Sequence, residues 1–588
     1  MLTDKTITFI TAADELPSDP CRVGLLVEHA PDAPWLPSDH VSLTELLGDP
    51  EEAKVQGAEL LRRILEDEPE IAGVRHLYAL KEPLIRSAAK TDQTLHLHQW
   101  LLEHQVSLCR FGSANWVSQR LRELRDLVGG SYTIEECVPA KAGGSNRLYR
   151  YLRETGKEGL SEVPRIAVQT KFPLLSRVML QRRRQESPPD ETWFYSTFYT
   201  YTKIALAYER SLPSRFRFLI SDRGSPELPL RDEGRGWSEL CAYIRRSQMP
   251  GRHDISNIRR TLLDHFEKAR LSDEESIVRE LLKRSQEMKE FFHWQIKIGL
   301  LETQAFQGWL TREKPRLLVV GNDSFEGYFL QLARKAGLPT LMLQHGIFGD
   351  FYQLTEHSAD MLLARGRFWQ EFVSPESRKR SLVVNCVSPR ASAREEQGGR
   401  DLLFVSVHYK SIPVYHLKDL EDILRTAAKA AVLCSRRLTI RVHPRETPAI
   451  YESMLSKIAA EQNLRQEVAF STGPSLEQAI RQSSVAMLHS STVFLDCLRL
   501  GVPIVSFDWH DFAYKRGIAE HRAFSFAKDL QHLEELLVTG LRGELKPSRD
   551  YEDFLAPTSE DEIRQVFDAA AQGKFGRHTA PNLPVLNA

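Results

Sequence analysis

The stretch that decides the fold is SVAMLHSSTVFLDCLRLGVPIVSFD, residues 484–508. Its short apolar run at 485–488 is of the kind that forms a buried strand in a parallel sheet. Apolar residues then recur at helical spacing over 493–500, and Gly501 stands where a helix commonly ends in the left-handed conformation. A second apolar run occupies 504–507. The stretch therefore predicts a strand, a loop, a helix and a second, parallel strand.

The loop of this unit is polar. Ser490, Ser491 and Thr492 fall where the first strand ends and the helix begins. A helix N-terminus presents unpaired N–H groups and about half a positive charge, which makes it a ready site for an anion. The three hydroxyl groups can bind a phosphate there, or they can only cap the helix. This stretch alone favours capping, whereas features elsewhere in the chain favour phosphate binding.

Length and composition limit the class of protein. A chain of 588 residues is too long for one core, so two or more domains are expected. Hydrophobic residues make up 42% and charged residues 27%, which is ordinary for a globular protein. The net charge is −1, so electrostatics gives no reason to expect a nucleic-acid partner.

Targeting signals and cysteines predict a cytoplasmic protein. No apolar run approaches the roughly 18 residues of a membrane span. Acidic residues flank the short apolar piece at the start, which argues against a secretory signal. The seven cysteines are scattered without a CxxC pair, as in reduced thiols, and indicate neither a zinc site nor a disulfide framework.

The first half of the chain predicts an N-terminal α/β domain over residues 1–360. Apolar runs and helical patterns alternate over its first 140 residues, whereas 141–310 is dense in charge and predicts a helical insertion. The aromatic cluster WFYSTFYTY at 193–201 favours a core or helix-packing role, and a lipid-facing or acceptor-facing patch is the alternative. Asp232 and Glu233 precede a glycine and could supply a base, although such pairs are usually solvated turns.

Residues 316–350 repeat the layout of the opening stretch. A strand at 317–320 is followed by a polar loop in which Asp323 and Glu326 have the spacing of a capping box. A helix, a glycine and a proline lead to a strand at 341–343, which ends at Gln344-His345-Gly346. The layout suggests two similar α/β domains.

The second half predicts a C-terminal α/β domain over 361–540, followed by a helix and tail at 541–588 that pack back on the body. Ligands of open parallel sheets bind outside the carboxyl ends of the strands. Six polar side chains fall at such ends in this domain: His408, Lys410, His443, Ser490, Ser491 and Asp508. Because they are predicted to share one edge of the sheet, they indicate a ligand-binding site there.

Three motifs carry a resemblance to a known family: LMLQHG at 341–346, IRVHPRE at 440–446 and HSSTVFLDCLRLGVPIVSFD at 489–508. Their order resembles that of bacterial surface-polysaccharide transferases of the GT-B fold, of the polysialyltransferase and Kdo-transferase type. CDP-glycerol glycerophosphotransferases share the order. The resemblance covers residues 315–510, about a third of the chain.

The resemblance implies two Rossmann-like domains facing a cleft. It also implies a nucleotide-sugar donor, a CMP-linked ulosonic acid such as Kdo or a sialic-acid-like sugar, and a glycan acceptor. A lipid-linked acceptor would bring the protein to the inner membrane without spanning it. No metal and no further cofactor are expected.

The resemblance also implies roles for single residues. His443 would contact the donor phosphate, and Pro444 would fix the backbone there. Ser490, Ser491 and Thr492 would bind the same phosphate, with Lys410 at the same edge. Asp508 would hold the nucleoside. Arg445 could pair with a donor carboxylate or phosphate, whereas Glu446 is expected to solvate the loop.

The catalytic base is left open. His345, in the His-Gly motif, could act near neutral pH, and Asp323 and Glu326 in the neighbouring loop are rivals. Polysialyltransferases use an acidic-acidic-glycine motif, and the literal match here is Asp232 to Gly234.

Three other functions stay open. The first is transfer of a polyol phosphate from CDP-glycerol or CDP-ribitol. The second is isomerisation of the UDP-sugar 2-epimerase kind. The third is a scaffold that binds nucleotide without catalysis.

Overall fold

The computed structural model describes much of the chain, in separate ranges. These are residues 5–10, 24–26, 41–42, 50–70, 81–113, 116–138, 192–221, 226–243, 252–285, 288, 296–321, 327–346, 356–386, 400–406, 417–443, 446, 448–462, 468–470, 476–489, 491–507, 524–547 and 551–574. The chain divides into two compact units. Unit 1 comprises Met1–His345, Leu354–Leu362 and Arg564–Ala588, and unit 2 comprises Gly346–Gln353 and Leu363–Ile563.

Unit 1 begins with a parallel sheet of five strands. They are β1 (Lys5–Ile10), β2 (Gly24–Leu26), β3 (Val41–Ser42), β4 (Val106–Ser113) and β5 (Thr133–Val138), in the order β3-β2-β1-β4-β5. Its helices are α1 (Pro50–Leu65), α2 (Lys81–Glu103) and α3 (Trp116–Val128). The strand order reverses beside β1, as in a doubly wound sheet.

A second sheet follows in the chain. Its seven strands are β6 (Thr192–Ser196), β7 (Arg217–Ile220), β8 (Ser238–Glu239), β9 (Leu317–Val320), β10 (Thr340–Leu343), β11 (Met361–Ala364) and β12 (Ser381–Val383). The order is β12-β11-β10-β9-β6-β7-β8, with parallel pairing from β10 through β8. The order therefore reverses between β6 and β9, and the boundary of unit 1 falls inside β11.

The helices of this part of unit 1 are α4 (Tyr199–Glu209), α5 (Leu228–Asp232), α6 (Arg252–Lys268), α7 (Asp273–Arg284), α8 (Ile296–Glu313) and α9 (Gly327–Lys335), with a 3₁₀ helix at Leu240–Tyr243. Ser272 and Glu275 form a full capping box at the start of α7. A buried cluster including Leu61, Leu262 and Leu281 packs α1, α6 and α7 together with α2 and α8.

Unit 2 is built on a third parallel sheet. Its strands are β13 (Asp401–Val405), β14 (Leu438–Arg441), β15 (Val468–Phe470), β16 (Ser483–Leu488), β17 (Ile504–Ser506) and β18 (Ser525–Phe526). The order is β15-β14-β13-β16-β17-β18, and every adjacent pair is parallel. This is the strand order of a six-stranded Rossmann sheet, which reverses between β13 and β16.

The remaining helices are α10 (Arg367–Glu371), α11 (Pro375–Lys379), α12 (Leu417–Leu433), α13 (Pro448–Gln462), α14 (Leu476–Arg481), α15 (Val493–Leu500), α16 (Leu530–Leu541), α17 (Tyr551–Phe554) and α18 (Glu560–Ala571). All lie in unit 2 except α18, which begins there and ends in unit 1. Buried residues of α12, α13 and α16 form one core with the sheet. Among the described residues, no helix is both long enough and apolar enough to cross a membrane.

The predicted fold class, an α/β chain with parallel sheets in two units, is confirmed. Within the stretch 141–310, predicted as a helical insertion, the described residues comprise α4 to α7 and most of α8. They also include three strands, Thr192–Ser196, Arg217–Ile220 and Ser238–Glu239, which form one side of the second sheet. The first of these strands is buried on both faces, so it lacks the alternation that would have marked it. The aromatic cluster supplies core, as favoured: Trp193, Phe194 and Tyr195 are buried. The predicted domain limits at 360 and 540 stay predictions.

Candidate functional site

The candidate site of unit 2 lies at the carboxyl ends of β13, β14 and β16. The strand order reverses between β13 and β16, and helices leave the sheet on opposite faces at such a point, so a crevice opens there. Ser406 directly follows β13, His489 directly follows β16, and His443 lies two residues beyond β14. Parallel pairing brings these three residues to one edge of the sheet.

Ser406 anchors the backbone at His443. Its buried hydroxyl accepts a hydrogen bond from the His443 N–H at 2.7 Å and donates one to Glu446 Oε2 at 3.2 Å. The Ser406 N–H itself donates to the Arg441 carbonyl at 3.0 Å. The start of the loop after β14 is therefore held against the end of β13. The half-buried imidazole of His443 extends from a backbone that these hydrogen bonds fix in place.

Glu446 belongs to the same network. Its carboxylate accepts a second hydrogen bond from the hydroxyl of Tyr451 on α13, and its N–H donates to the His443 carbonyl at 2.9 Å. Burial raises the pKa of Tyr451, and the hydrogen bond to Glu446 raises it further, so the phenol stays a donor. The expectation that Glu446 only solvates the loop is wrong, since it braces the loop from inside.

The loop before α15 combines a buried histidine with two hydroxyl residues. His489 is 2% exposed, and its ring meets the Phe507 ring edge-on with 4.1 Å between centroids. Ser491 is half-buried and Thr492 is exposed. His489 is thus a core histidine, whereas the two hydroxyl groups stand nearer to solvent.

Capping at α15 is only partial. Thr492 is the N-cap residue but makes no side-chain capping hydrogen bond. Ser491 Oγ accepts from the Val493 N–H at a long 3.4 Å. The next two amides, of Phe494 and Leu495, donate at 3.1 Å to the Ser491 and Thr492 carbonyls. Side-chain hydroxyl groups and one weakly held amide are therefore the donors that an anion would meet here.

Gly346, the first residue of unit 2, lies close to this loop. A Cβ atom built on Gly346 would lie 3.3 Å from Thr492 Cγ2, tighter than ordinary van der Waals contact. A larger residue at 346 would push on Thr492. Two residues of unit 2 that are far apart in sequence, Gly346 and Thr492, therefore lie close together at the start of α15.

His345 lies in unit 1, after β10. Its half-buried ring meets the ring of Tyr201 on α4 edge-on, with 4.4 Å between centroids. Tyr201 in turn covers Gly321, which directly follows β9, and a Cβ atom on Gly321 would lie 2.5 Å from Tyr201 Cγ. These residues share the carboxyl edge of the second sheet, where its strand order reverses between β6 and β9. The geometry supports a positioned imidazole at that edge.

Several predicted site residues lie outside the described residues, namely Asp323, Glu326, Lys410, Pro444, Arg445, Ser490, Asp508 and also His408. Of the acidic pair, Asp232 and Glu233 are exposed at the end of α5, and Glu233 pairs with exposed Arg210 at 3.6 Å. This favours the solvated turn. Within the described ranges, no group of three or more His, Cys, Asp or Glu could hold a metal ion.

Ser406, Tyr451 and Tyr201 were not among the site residues predicted from the sequence. Ser406 directly follows a strand, and a polar residue after a short apolar run was the available signal. Tyr451 looked like an ordinary apolar position of a helix. Tyr201 was assigned only to a packing cluster, and no local pattern connects it with His345.

No family model matches the chain, and no curated protein matches it. Solved structures that are similar in part include the calicheamicin glycosyltransferase CalG4 (11% identity, 65% of this chain and 98% of that chain, TM-score 0.40). They also include UDP-GlcNAc 2-epimerase from Methanocaldococcus jannaschii (11%, 64% and 98%, 0.40). A third is the lipopolysaccharide outer core galactosyltransferase WaaB (13%, 65% and 99%, 0.35). At such low similarity these neighbours assign no activity to the site.

Proposed function

We propose that this chain is a GT-B glycosyltransferase of bacterial surface-polysaccharide synthesis. It transfers a CMP-activated ulosonic acid, such as Kdo or a sialic-acid-like sugar, to a glycan acceptor. The observation that supports the proposal lies in unit 2, at the edge of the sheet where β13, β14 and β16 end. His443 is tied to Ser406 there, and Gly346 lies against Thr492.

The donor phosphate is bound by the imidazole of His443 and the hydroxyl groups of Ser491 and Thr492. These are neutral or cationic donors at the start of a helix, and they suit the charge that develops on a departing CMP. Ser490, Lys410 and Arg445 add to this group, Pro444 fixes the turn, and Asp508 holds the nucleoside. They are included because, in the sequence, each lies at or soon after the predicted end of a strand.

In the reaction, a hydroxyl oxygen of the acceptor attacks the anomeric carbon of the donor. The bond from that carbon to the phosphate oxygen breaks, and CMP leaves with the bonding electrons. His345 takes the acceptor proton, because imidazole titrates near neutral pH. Asp323 and Glu326 are the rival bases. Phosphate-binding side chains stabilise the leaving group, so the proposal needs no metal.

The acceptor is a surface glycan, and a lipid-linked form of it would bring the protein to the inner membrane from the cytoplasmic side. Nucleic acid is not a partner, given the net charge of −1.

A thermal-shift screen in the presence of a chelator tests the donor assignment. CMP should raise the unfolding temperature of the full chain more than CDP, UDP or GDP, because ligand binding to the folded state stabilises it. His443→Ala and Ser491→Ala should each remove most of the shift. Ser456→Ala is the matched control, since this exposed serine on α13 bonds only to its own helix at Glu452.

A shift by UDP alone would contradict the CMP assignment and favour an isomerase of the UDP-sugar 2-epimerase kind. A shift by CDP, with transfer of polyol phosphate from CDP-glycerol, would favour the polyol-phosphate reading. CMP binding that is lost in His443→Ala without any change in glycan product would favour a scaffold. If chelation abolished a CMP shift that added Mg²⁺ restored, the metal-free part of the proposal would be wrong.

A further inference from the structure

Unit 1 contains an arginine-lined cavity, and we propose that it is a second ligand site that binds a phosphate monoester or diphosphate group. It lies at the amino-terminal edge of the seven-stranded sheet. The cavity residues Arg215, Arg217 and Arg316 are the proposed ligands. The inference is independent of the proposed transferase activity.

The cavity is formed where three neighbouring strands begin. Thr192 is the first residue of β6, Arg217 is the first residue of β7, and Arg316 directly precedes β9. Phe567 of α18 lines it as well. The volume is about 720 Å³, within the roughly 300–1,000 Å³ that is usual for small-molecule sites.

A buried ion pair builds one wall. Arg235 donates two hydrogen bonds to the carboxylate of Glu209, one of them at 3.0 Å, and a third to the Phe216 carbonyl at 3.1 Å. Glu209 also accepts from the Phe216 N–H. Arg235 is therefore neutralised and fixes the backbone just before β7, and it is not counted among the ligand-binding charges.

The other charges of the cavity leave an excess of positive charge. Besides Arg235, the lining includes three arginines, Arg215, Arg217 and Arg316, and one carboxylate, Asp568, so the formal charge of these side chains is three minus one, or two, positive charges. Arg215 and Arg316 are exposed, and within the described ranges neither has an ion-pair partner. A dianion would neutralise this excess.

Phosphate fits this charge better than a sugar carboxylate does. A phosphate monoester carries nearly two negative charges at neutral pH, whereas a carboxylate carries one. Guanidinium groups bind phosphate oxygens in pairs with matched geometry, and arginine is favoured over lysine wherever such recognition occurs. Arginine supplies all the basic side chains of the lining.

The cavity is separate from the edge that carries His345. Strand β6 has five residues and runs from Thr192 at the cavity to Ser196 at the opposite edge. At about 3.3 Å per residue, the two edges lie roughly 13 Å apart. One ligand group cannot occupy both edges.

Calorimetric titration of the full chain with inorganic pyrophosphate, at fixed ionic strength, tests the site. The double variant Arg215→Ala/Arg316→Ala should bind pyrophosphate at least about tenfold more weakly, because two charge-assisted contacts are lost. Arg312→Ala is the matched control. That arginine is exposed on α8, pairs with Glu313 at 3.5 Å and does not line the cavity. Binding should survive in Arg312→Ala.

A second arm identifies the source of the phosphate. If phosphatidate in phosphatidylcholine vesicles recruits the chain, and the double variant abolishes recruitment, the ligand is a lipid headgroup. Pyrophosphate binding without recruitment supports a free or nucleotide phosphate. Unchanged pyrophosphate affinity in the double variant, with its unfolding temperature preserved, would overturn the proposal. So would equal binding of glucuronate, which carries only a carboxylate.

Discussion

At the scale of single residues, Gly321 decides how Tyr201 and His345 meet. The Tyr201 ring occupies the space that a Cβ atom on Gly321 would need, with 2.5 Å between that atom and Tyr201 Cγ. Real Cβ contacts are not so short, so any other residue at 321 displaces the ring or the strand end. The ring contact with His345 depends on this glycine.

Gly321→Ala is expected to destabilise unit 1 by about 1–3 kcal/mol, the usual cost of overfilling a packed site. Urea denaturation measures the loss. The Tyr201 Cβ would also lie 2.7 Å from the added atom, so the conflict is with the whole side chain, and the cost should fall sharply when Gly321→Ala is made in a Tyr201→Gly background. Equal costs in both backgrounds would show that the Tyr201 ring is not what limits this position.

At the scale of elements, the loop between β14 and α13 is held from two sides. Ser406, at the end of β13, bonds to the His443 amide and to Glu446, while Tyr451 of α13 bonds to Glu446. The loop thus links a neighbouring strand to the following helix. This makes Ser406 a positioning residue for His443.

Ser406→Ala should cost about 1–3 kcal/mol of stability, because it leaves the His443 N–H and the Glu446 carboxylate short of a partner. It should also weaken CMP binding, measured by calorimetry, since His443 loses its anchor. Glu446→Gln is the milder comparison, because an amide oxygen still accepts from both hydroxyl groups. If the Ser406→Ala variant bound CMP with full affinity, this hydrogen-bond network would not contribute to donor binding.

Short apolar runs bounded by polar or turn residues were predicted from the sequence. One buried strand and one contact between distant side chains were not. Val493–Leu500 and Leu317–Val320 match the predicted bounds, and Gly501 has the predicted left-handed conformation at φ 66°. Strand Thr192–Ser196 was missed, because the aromatic residues continue to Tyr201 without a glycine or proline to mark the end of a strand. The pairing of Tyr201 with His345 depends on tertiary packing, which no local pattern reports.

At the scale of the whole molecule, the chain repeats one topology three times. Each sheet reverses its strand order beside its first strand, giving β3-β2-β1-β4, β8-β7-β6-β9 and β15-β14-β13-β16. The sequence predicted two such layouts, and the second and third sheets correspond to them. The first sheet was included in the same N-terminal domain, because nothing in composition separates it from the second.

Stability of the molecule should fall in alkali. Burial raises the pKa of the Cys109 thiol from 9.0 to about 12, so the folded chain keeps a proton that the unfolded chain releases. The stabilisation is complete below pH 9 and is lost as pH rises toward 12. Cys109→Ala should flatten the decline of unfolding free energy by up to about 1.4 kcal/mol per pH unit in this window.

Urea denaturation across this range measures the effect, and the range below pH 9 is its internal control. There the variant and the parent chain should change in parallel, whatever fixed cost the lost side chain brings. A variant that kept the full alkaline slope would show that other groups, such as Tyr243, whose pKa burial raises to about 12, account for it.

Helix α18 returns to unit 1 after the chain has completed unit 2. Its Phe567 lies 5.7 Å from the ring of Phe216 and 6.1 Å from that of Tyr208, and its Arg564 reaches back 353 residues to the Ser211 carbonyl. During translation, therefore, this aromatic surface stays uncovered until residues 564–571 leave the ribosome. Unit 2 can therefore complete its fold before unit 1, although it is synthesised later. A chaperone that shields nascent apolar surface would bind longest to unit 1.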